Sequence, residues 1–359
     1  MTLTEIVDFR LTNQQIRATQ HKTPKEIVGF MGAMQAQDYA MAKWALGIRL
    51  PNSKESDIQA AIDKGEIIRT HVLRPTWHFI STEDVYWMLD LTAQNIKTIS
   101  KSRNRELGLT PELFKKSNSI IEKALSGGDH LTRDELMALL EKAKINTSEY
   151  RSGHFMLEAE LDGIVCSGAM KNNKQTYALL NERVPKAISL SKEEALVKLA
   201  YKYFLSHGPA TLKDFIWWSG LSVKDARNAL ELIKSDFISE IINGETYWFK
   251  PLSSNDQISS PSVYLLPAFD EFIISYKNRE ACLPIENQKK AFSSNGIFRP
   301  VILVNGQGVG IWKRTLKKDK VIIETDFFES PDKSILTLLD RETKRFGTFL
   351  GAQTYLRHI

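Results

Sequence analysis

The sequence predicts an α+β chain: tandem winged-helix units, each a helix-turn-helix plus a β-hairpin, followed by a β-rich C-terminal domain. Three observations carry that expectation. Apolar residues at helical spacing give way repeatedly to short β-rich runs, at 67–80, at 163–180 and around Asn243-Gly244. Capping residues frame several of the helices: Thr132 with Glu135 three places on, then Ser191, Thr211 and Ser222. Beyond a polar stretch at 251–262, β-like apolar runs take over.

Composition limits the function classes. A chain of 359 residues holds about two to four domains, and 42% hydrophobic with 25% charged residues is ordinary for a folded protein, which excludes disorder. The 48 Lys and Arg against 43 Asp and Glu leave a charge of +5, which permits a polyanionic partner without demanding one. Placement of the charge therefore counts for more than its sum. Cys166 and Cys282 form no CxxC and lie far apart, so neither a zinc cluster nor a disulfide framework is indicated, and a reducing cytoplasm is expected. The seven histidines contain no HxxxH or HxH pair, so no metal and no other cofactor is expected. The start, Met1-Thr2-Leu3-Thr4-Glu5-Ile6-Val7-Asp8, lacks a basic lead into an apolar core, and no apolar run approaches the roughly 18 residues of a membrane span.

Taken in order, residues 1–93 read as a first unit, with helices at 11–20, 23–33, 38–48 and 56–64, the last capped by Ser56, and then a small basic hairpin. Residues 94–190 form a second unit, opening on a basic helical segment with Lys97, Lys101, Arg103, Arg105, Lys115 and Lys116 and closing on two β-like runs joined at Lys171-Asn172-Asn173-Lys174. The third unit, 191–250, is the best marked: Thr211 and Ser222 cap two helices and Asn243-Gly244 is a strong hairpin signal. Trp217 and Trp218 could stack on bases, but at this spacing one or both read as core anchors. Residues 251–359 hold a polar linker, a three-stranded meander at 301–304, 308–312 and 321–324, and a closing helix at 332–349. The loop 313–320 carries Lys313, Arg314, Lys317, Lys318 and Lys320; it is either a solvated hairpin tip or a phosphate clamp.

The chemistry concentrates in Met31-Gly32-Ala33-Met34-Gln35-Ala36-Gln37-Asp38-Tyr39-Ala40. Gln35 and Gln37 put four amide donors and two carbonyl acceptors near one spot. Positions i and i+2 point roughly 200° apart on a helix but to one side of an extended segment. A junction between two helices would let the pair converge on a water; alternatively the glutamines cap the adjoining helix ends. Asp38 reads as the N-cap of the next helix and Lys43 as solvated helix surface rather than a Schiff-base lysine.

Four stretches, Met34-Gln35-Ala36-Gln37, Arg69-Thr70-His71-Val72-Leu73-Arg74-Pro75-Thr76-Trp77-His78, Gly208-Pro209-Ala210-Thr211 with Trp218-Ser219-Gly220-Leu221, and Leu265-Leu266-Pro267-Ala268-Phe269-Asp270-Glu271, resemble the winged-helix DNA-binding family that includes the AlkZ-type DNA glycosylases. Pro75 departs from the smaller residue found there in many relatives. The resemblance spans nearly the whole chain and implies a monofunctional DNA glycosylase acting as a monomer on damaged double-stranded DNA. Its substrates would be cationic N7- or N3-alkylated purines, crosslinked ones included, with the family's Gln-x-Gln motif falling on Gln35 and Gln37 and positioning the attacking water. Arg69, Arg74, His78 and the basic loop residues Lys313, Arg314, Lys317 and Lys318 are the candidate DNA contacts, while Asp270 and Glu271 are expected to fix an interdomain loop. The alternative is a tandem winged-helix binding protein or transcription regulator without catalysis.

Overall fold

The computed structural model describes residues 1–186, 189–251 and 261–358. Most of the polar linker expected at 251–262 lies outside the described residues.

One plan occurs three times. In the first copy α1 (Leu3–Asn13) and α2 (Pro24–Met31) lead into a short strand β1 (Ala33–Gln35), two helices α3 (Tyr39–Arg49) and α4 (Glu55–Asp63), and an antiparallel hairpin of β2 (Ile67–His71) and β3 (Trp77–Ser81). In the second, α5 (Val85–Glu106) and α6 (Pro111–Leu125) precede β4 (Leu131–Thr132), α7 (Arg133–Lys142), α8 (Arg151–Leu161) and the hairpin β5 (Val165–Ser167) and β6 (Thr176–Leu179), with a last turn α9 (Leu180–Arg183). In the third, α10 (Lys192–His207) is followed by β7 (Ala210–Thr211), α11 (Leu212–Ser219), α12 (Val223–Ile233) and the hairpin β8 (Ile238–Ile242) and β9 (Glu245–Phe249). Each time the short strand pairs with the second hairpin strand, giving sheet orders β1-β3-β2, β4-β6-β5 and β7-β9-β8.

Local chemistry explains most element starts. Thr132, Ser191 and Thr211 each accept from the backbone N–H three places on and are met in return by Glu135, Glu194 and Asp214, closing capping boxes; Ser222 caps α12 alone. Asn243 and Gly244, at φ 50° and 80°, make the tight turn of the third hairpin. Two helix starts differ from expectation. Thr2 and Glu5 form a capping box that begins α1 at Leu3 instead of 11, and the chain turns at Gln15, φ 60°, before residue 20. α4 begins at Glu55 with Lys54 at the cap position, because Asp57 reaches back to the Lys54 N–H at 2.8 Å; Ser56 is inside the helix.

The C-terminal region is a five-stranded sheet, where the alternation shows three strands. β10 (Val263–Leu266) leads through a short α13 (Glu271–Ile274) and α14 (Ile285–Ala291) to β11 (Val301–Val304), β12 (Gln307–Lys317) and β13 (Lys320–Phe327), and then α15 (Lys333–Leu350) crosses to β14 (Gln353–His358). The order is β10-β11-β12-β13-β14, with β14 parallel to β13, the pairing that a helical crossover permits. The basic stretch 313–320 is not a loop. β12 and β13 stay paired from Gly310 with Phe327 out to Lys317 with Lys320, so only Lys318 and Asp319 turn.

Three apolar clusters hold this together. The largest unites α1 to α4 with the C-terminal sheet: Trp44, fully buried, packs edge-on against Phe346 and donates to the Leu265 carbonyl at 2.7 Å. Truncating such an aromatic costs about 3–5 kcal/mol. Gly47 lets α15 come this close, since a Cβ there would lie 2.6 Å from the Phe349 ring. A second cluster joins β3 and α5 to α10, α11 and α12, and a third is confined to the second unit. The first unit is therefore wedged between the third unit and the C-terminal region, and its β1 lies at that junction. Lys43, expected on the surface, is buried in this wedge, paired with Glu55 and donating to Gln59 Oε1 at 3.1 Å. Among the described residues no helix is long and apolar enough to cross a membrane.

Candidate active site

Gln35 ends β1. The chain leaves the strand there, and Gln37 lies in the bend before α3, exposed, while Gln35 is buried. The glutamines thus mark a strand-to-helix junction rather than the end of a helix. Neither is the cap of α3: Asp38 is, its Oδ1 accepting from the Met41 N–H at 3.0 Å. The backbone between the glutamines is tied on both sides. The Ala36 N–H donates to the Trp77 carbonyl at 2.7 Å, and Arg69 Nε donates to the Ala36 carbonyl at 3.0 Å.

Arg69, half-buried, is otherwise occupied by Gln175 Oε1 at 2.9 Å and by the Trp77 ring, 4.3 Å below its guanidinium. His71 and Trp77 both donate to Glu160, fully buried, from the second unit. The first hairpin is thereby clamped to α8.

Opposite Gln35 in the register stands His78, and side chains opposed in this way share a face of the sheet. His78 is fully buried, so its side chain does not lie on the protein surface. Its Nδ1 lies 2.9 Å from the Thr76 carbonyl, which can only accept, so Nδ1 carries the hydrogen and Nε2 is a bare acceptor. Burial, and next the charge of Arg74, push the imidazole down to about 3, so the ring is neutral. Arg74 is half-buried and its Nη2 donates to Gln35 Oε1 at 3.4 Å. His78 Nε2, Arg74 Nε and Thr76 Oγ1 are buried without a protein partner, a local concentration of unmet polarity beside Gln35.

The other half of the site comes from the far end of the sequence. Glu271 Oε1 accepts the backbone N–H of Gln35 at 2.6 Å; Oε2 accepts from Trp218 Nε1 at 3.1 Å and from the Ser275 hydroxyl. Burial pushes this carboxyl up, but the neighbouring His207, Ser275 and Arg74 outweigh it and hold Glu271 below the usual carboxylate range. Asp270, the preceding residue, caps α13 and grips Arg49 with two bonds of 2.8 and 2.9 Å, both partners buried. Trp218 is a core anchor, as the spacing suggests, and Trp217 donates to the Ile274 carbonyl at 2.8 Å. Gly220, left-handed at φ 66°, ends α11 against the Leu73 carbonyl and Arg74 Cγ, where a Cβ would collide. Leu73 itself is left-handed at φ 62°.

The four separate stretches singled out in the sequence therefore converge on one corner. The sequence assigns Glu271 only a loop-fixing part, since its contact with Gln35 spans 236 positions and has no local signal. The basic hairpin stands apart from this packing. Lys313, Lys317 and Lys318 are exposed; Lys313 lies 3.5 Å from Glu324, and Arg314, half-buried over Phe346 at 5.8 Å, feels the charges of Asp38 and Glu55. Among the described residues no cluster of His, Cys, Asp and Glu is arranged to hold a metal ion.

Comparison with known proteins bears on this geometry. The profile of the family described as DNA glycosylase AlkZ-like matches residues 28–349. The solved structure of the Streptomyces sahachiroi DNA glycosylase AlkZ superposes with a TM-score of 0.83 at 18% identity, covering 100% of both chains, a likeness that establishes the fold. No curated protein matches the sequence.

Proposed function

The chain belongs to the AlkZ-like DNA glycosylase family, and from that premise we propose that it is a monofunctional glycosylase hydrolysing the N-glycosidic bond of cationic N7- and N3-alkylated purines in duplex DNA. Gln35 and Gln37 hold the attacking water. We read the three repeated units as winged helices, with the boundaries 1–93, 94–190 and 191–250, and the β12–β13 hairpin as the phosphate contact.

The observation that carries the reading is the holding of Gln35: its backbone is bound by Glu271 and its side-chain carbonyl by Arg74, while Gln37, two residues on, is open to solvent. A fixed amide beside an accessible one can orient a water between interior and substrate. Glutamine is too weak a base to take a proton, so the substrate must need no strong base. An alkylated purine meets that condition. It already carries a positive charge, the bond to C1′ breaks with its electron pair going to the base, and the purine leaves neutral. Water adds to the oxocarbenium-like sugar and its proton passes to solvent. Exposure of Gln37 also suits bulky and crosslinked lesions, which an enclosed base-flipping pocket would reject.

Base release from duplex DNA containing 7-methylguanine tests this, comparing wild type with Gln35→Ala/Gln37→Ala at equal folded concentration. Wild type should release the base, and the double variant should be slower by at least tenfold. Uracil released as readily as 7-methylguanine would sink the leaving-group argument. Duplex binding without release of any cationic purine would favour the non-catalytic winged-helix alternative.

A further inference from the structure

Gln35 is held between a cation and an anion. On one side Arg74 Nη2 reaches its side-chain oxygen at 3.4 Å; on the other Glu271 Oε1 takes its backbone N–H at 2.6 Å. The two charges thus flank one residue; burial lowers the Arg74 value and the carboxylate of Glu271 works against that fall. Glu271 is 1% exposed, and its Oε2 is anchored by Trp218 at 3.1 Å and by Ser275, with His207 Nε2 3.8 Å away.

An unopposed guanidinium at that glutamine would hinder the proposed reaction twice. It would draw on the oxygen that must accept from water, and it would disfavour positive charge building on a sugar nearby. A buried carboxylate behind the strand removes the second objection, and the first is met by the amide oxygen itself, whose other lone pair is left for the water. We propose that Glu271 is the positioning residue of this site: it fixes the Gln35 backbone and neutralises Arg74, so that no net positive charge faces the oxocarbenium-like sugar. This rests on the glycosylase reading above. Glu271 touches neither water nor substrate and takes no proton; its part is geometric and electrostatic.

A double-mutant cycle separates this from plain structural support. Wild type, Glu271→Gln, Arg74→Met and the Arg74→Met/Glu271→Gln double are compared at matched folded fraction, by single-turnover release of 7-methylguanine at saturating protein and by affinity for duplex containing a tetrahydrofuran abasic site. Glu271→Gln retains an oxygen able to accept the Gln35 N–H and loses the charge together with the second acceptor that serves Trp218 Nε1 and Ser275, a loss that the double variant shares and the cycle therefore cancels. It should slow release at least tenfold with affinity changed less than twofold, and the double should regain at least half of that loss on a logarithmic scale. Release by Glu271→Gln within threefold of wild type, or losses in the double that multiply, would overturn the inference while leaving the glycosylase reading intact. If Glu271→Gln alone does not fold, the double, which buries no lone charge, decides: release within tenfold of wild type supports the inference and a greater loss overturns it. A wild type that releases no base overturns the glycosylase reading and this inference with it.

Discussion

The two hairpins that carry the candidate DNA-facing charges could hardly be treated more differently by the fold. In β2–β3 the polar groups are largely committed to protein partners: Arg69 to Ala36, Gln175 and the Trp77 ring, His71 to Glu160, Arg74 to Gln35 and His78 to Thr76. In β12–β13 the lysines stand in solvent, with Glu324 beside Lys313 and the Tyr355 ring 5.3 Å below Lys320. Charges of the first kind set geometry and are costly to disturb; charges of the second kind act at a distance and are screened by salt. Chemistry needs the first kind and capture of a polyanion needs the second.

The contrast breaks most sharply at the buried pair behind the site. Arg49→Ala leaves Asp270 buried without its cation and strips bonds from Gln14 and the Ala45 carbonyl. Urea unfolding should show a loss of about 3–5 kcal/mol. A smaller loss would mean that the corner is wetter or looser than its geometry indicates.

His78 gives the next effect, through acid. Its folded-state value is depressed from 6.5 to about 3, so within that window the unfolded chain binds a proton that the folded protein refuses. Stability therefore falls as pH drops from about 6.5 toward 3, by up to about 1.4 kcal/mol per pH unit from this one group. Thermal melts between pH 7 and pH 4 should show a shallower decline in His78→Gln than in wild type; parallel declines would place the proton elsewhere.

Least is expected of the exposed hairpin. Lys313→Ala/Lys317→Ala/Lys318→Ala should change stability by less than about 0.5 kcal/mol. Duplex affinity should weaken at low salt, and the slope of log affinity against log salt should shrink by about 0.9 for each lysine that meets a phosphate. An unchanged slope would remove this hairpin from the DNA surface.

Features set by neighbouring residues are legible in the sequence. Caps at Thr132, Ser191, Thr211 and Ser222, the Asn243-Gly244 turn and the closing helix all depend on contacts within a few residues. The short strands β1, β4 and β7 were not foreseen, since two or three residues carry no periodicity and exist only because a hairpin strand far along the chain pairs with them. Lys43 lies inside, where the helical pattern puts it on the surface, for a related reason: its neighbours on α4 bury it, and helical spacing alone does not say what packs against a face.

The sequence by itself determined the order of the capped helices and the hairpins and the pair of amides at 35 and 37, because propensity, capping and motif spacing are short-range properties. The tertiary structure alone decided that Gln35 is inside and Gln37 outside, that His78 is neutral and interior, and that a carboxylate 236 positions away holds β1 at Gln35. Burial and the charges gathered by folding fix which groups ionise and where they point, and those are properties of neighbours in space rather than along the chain.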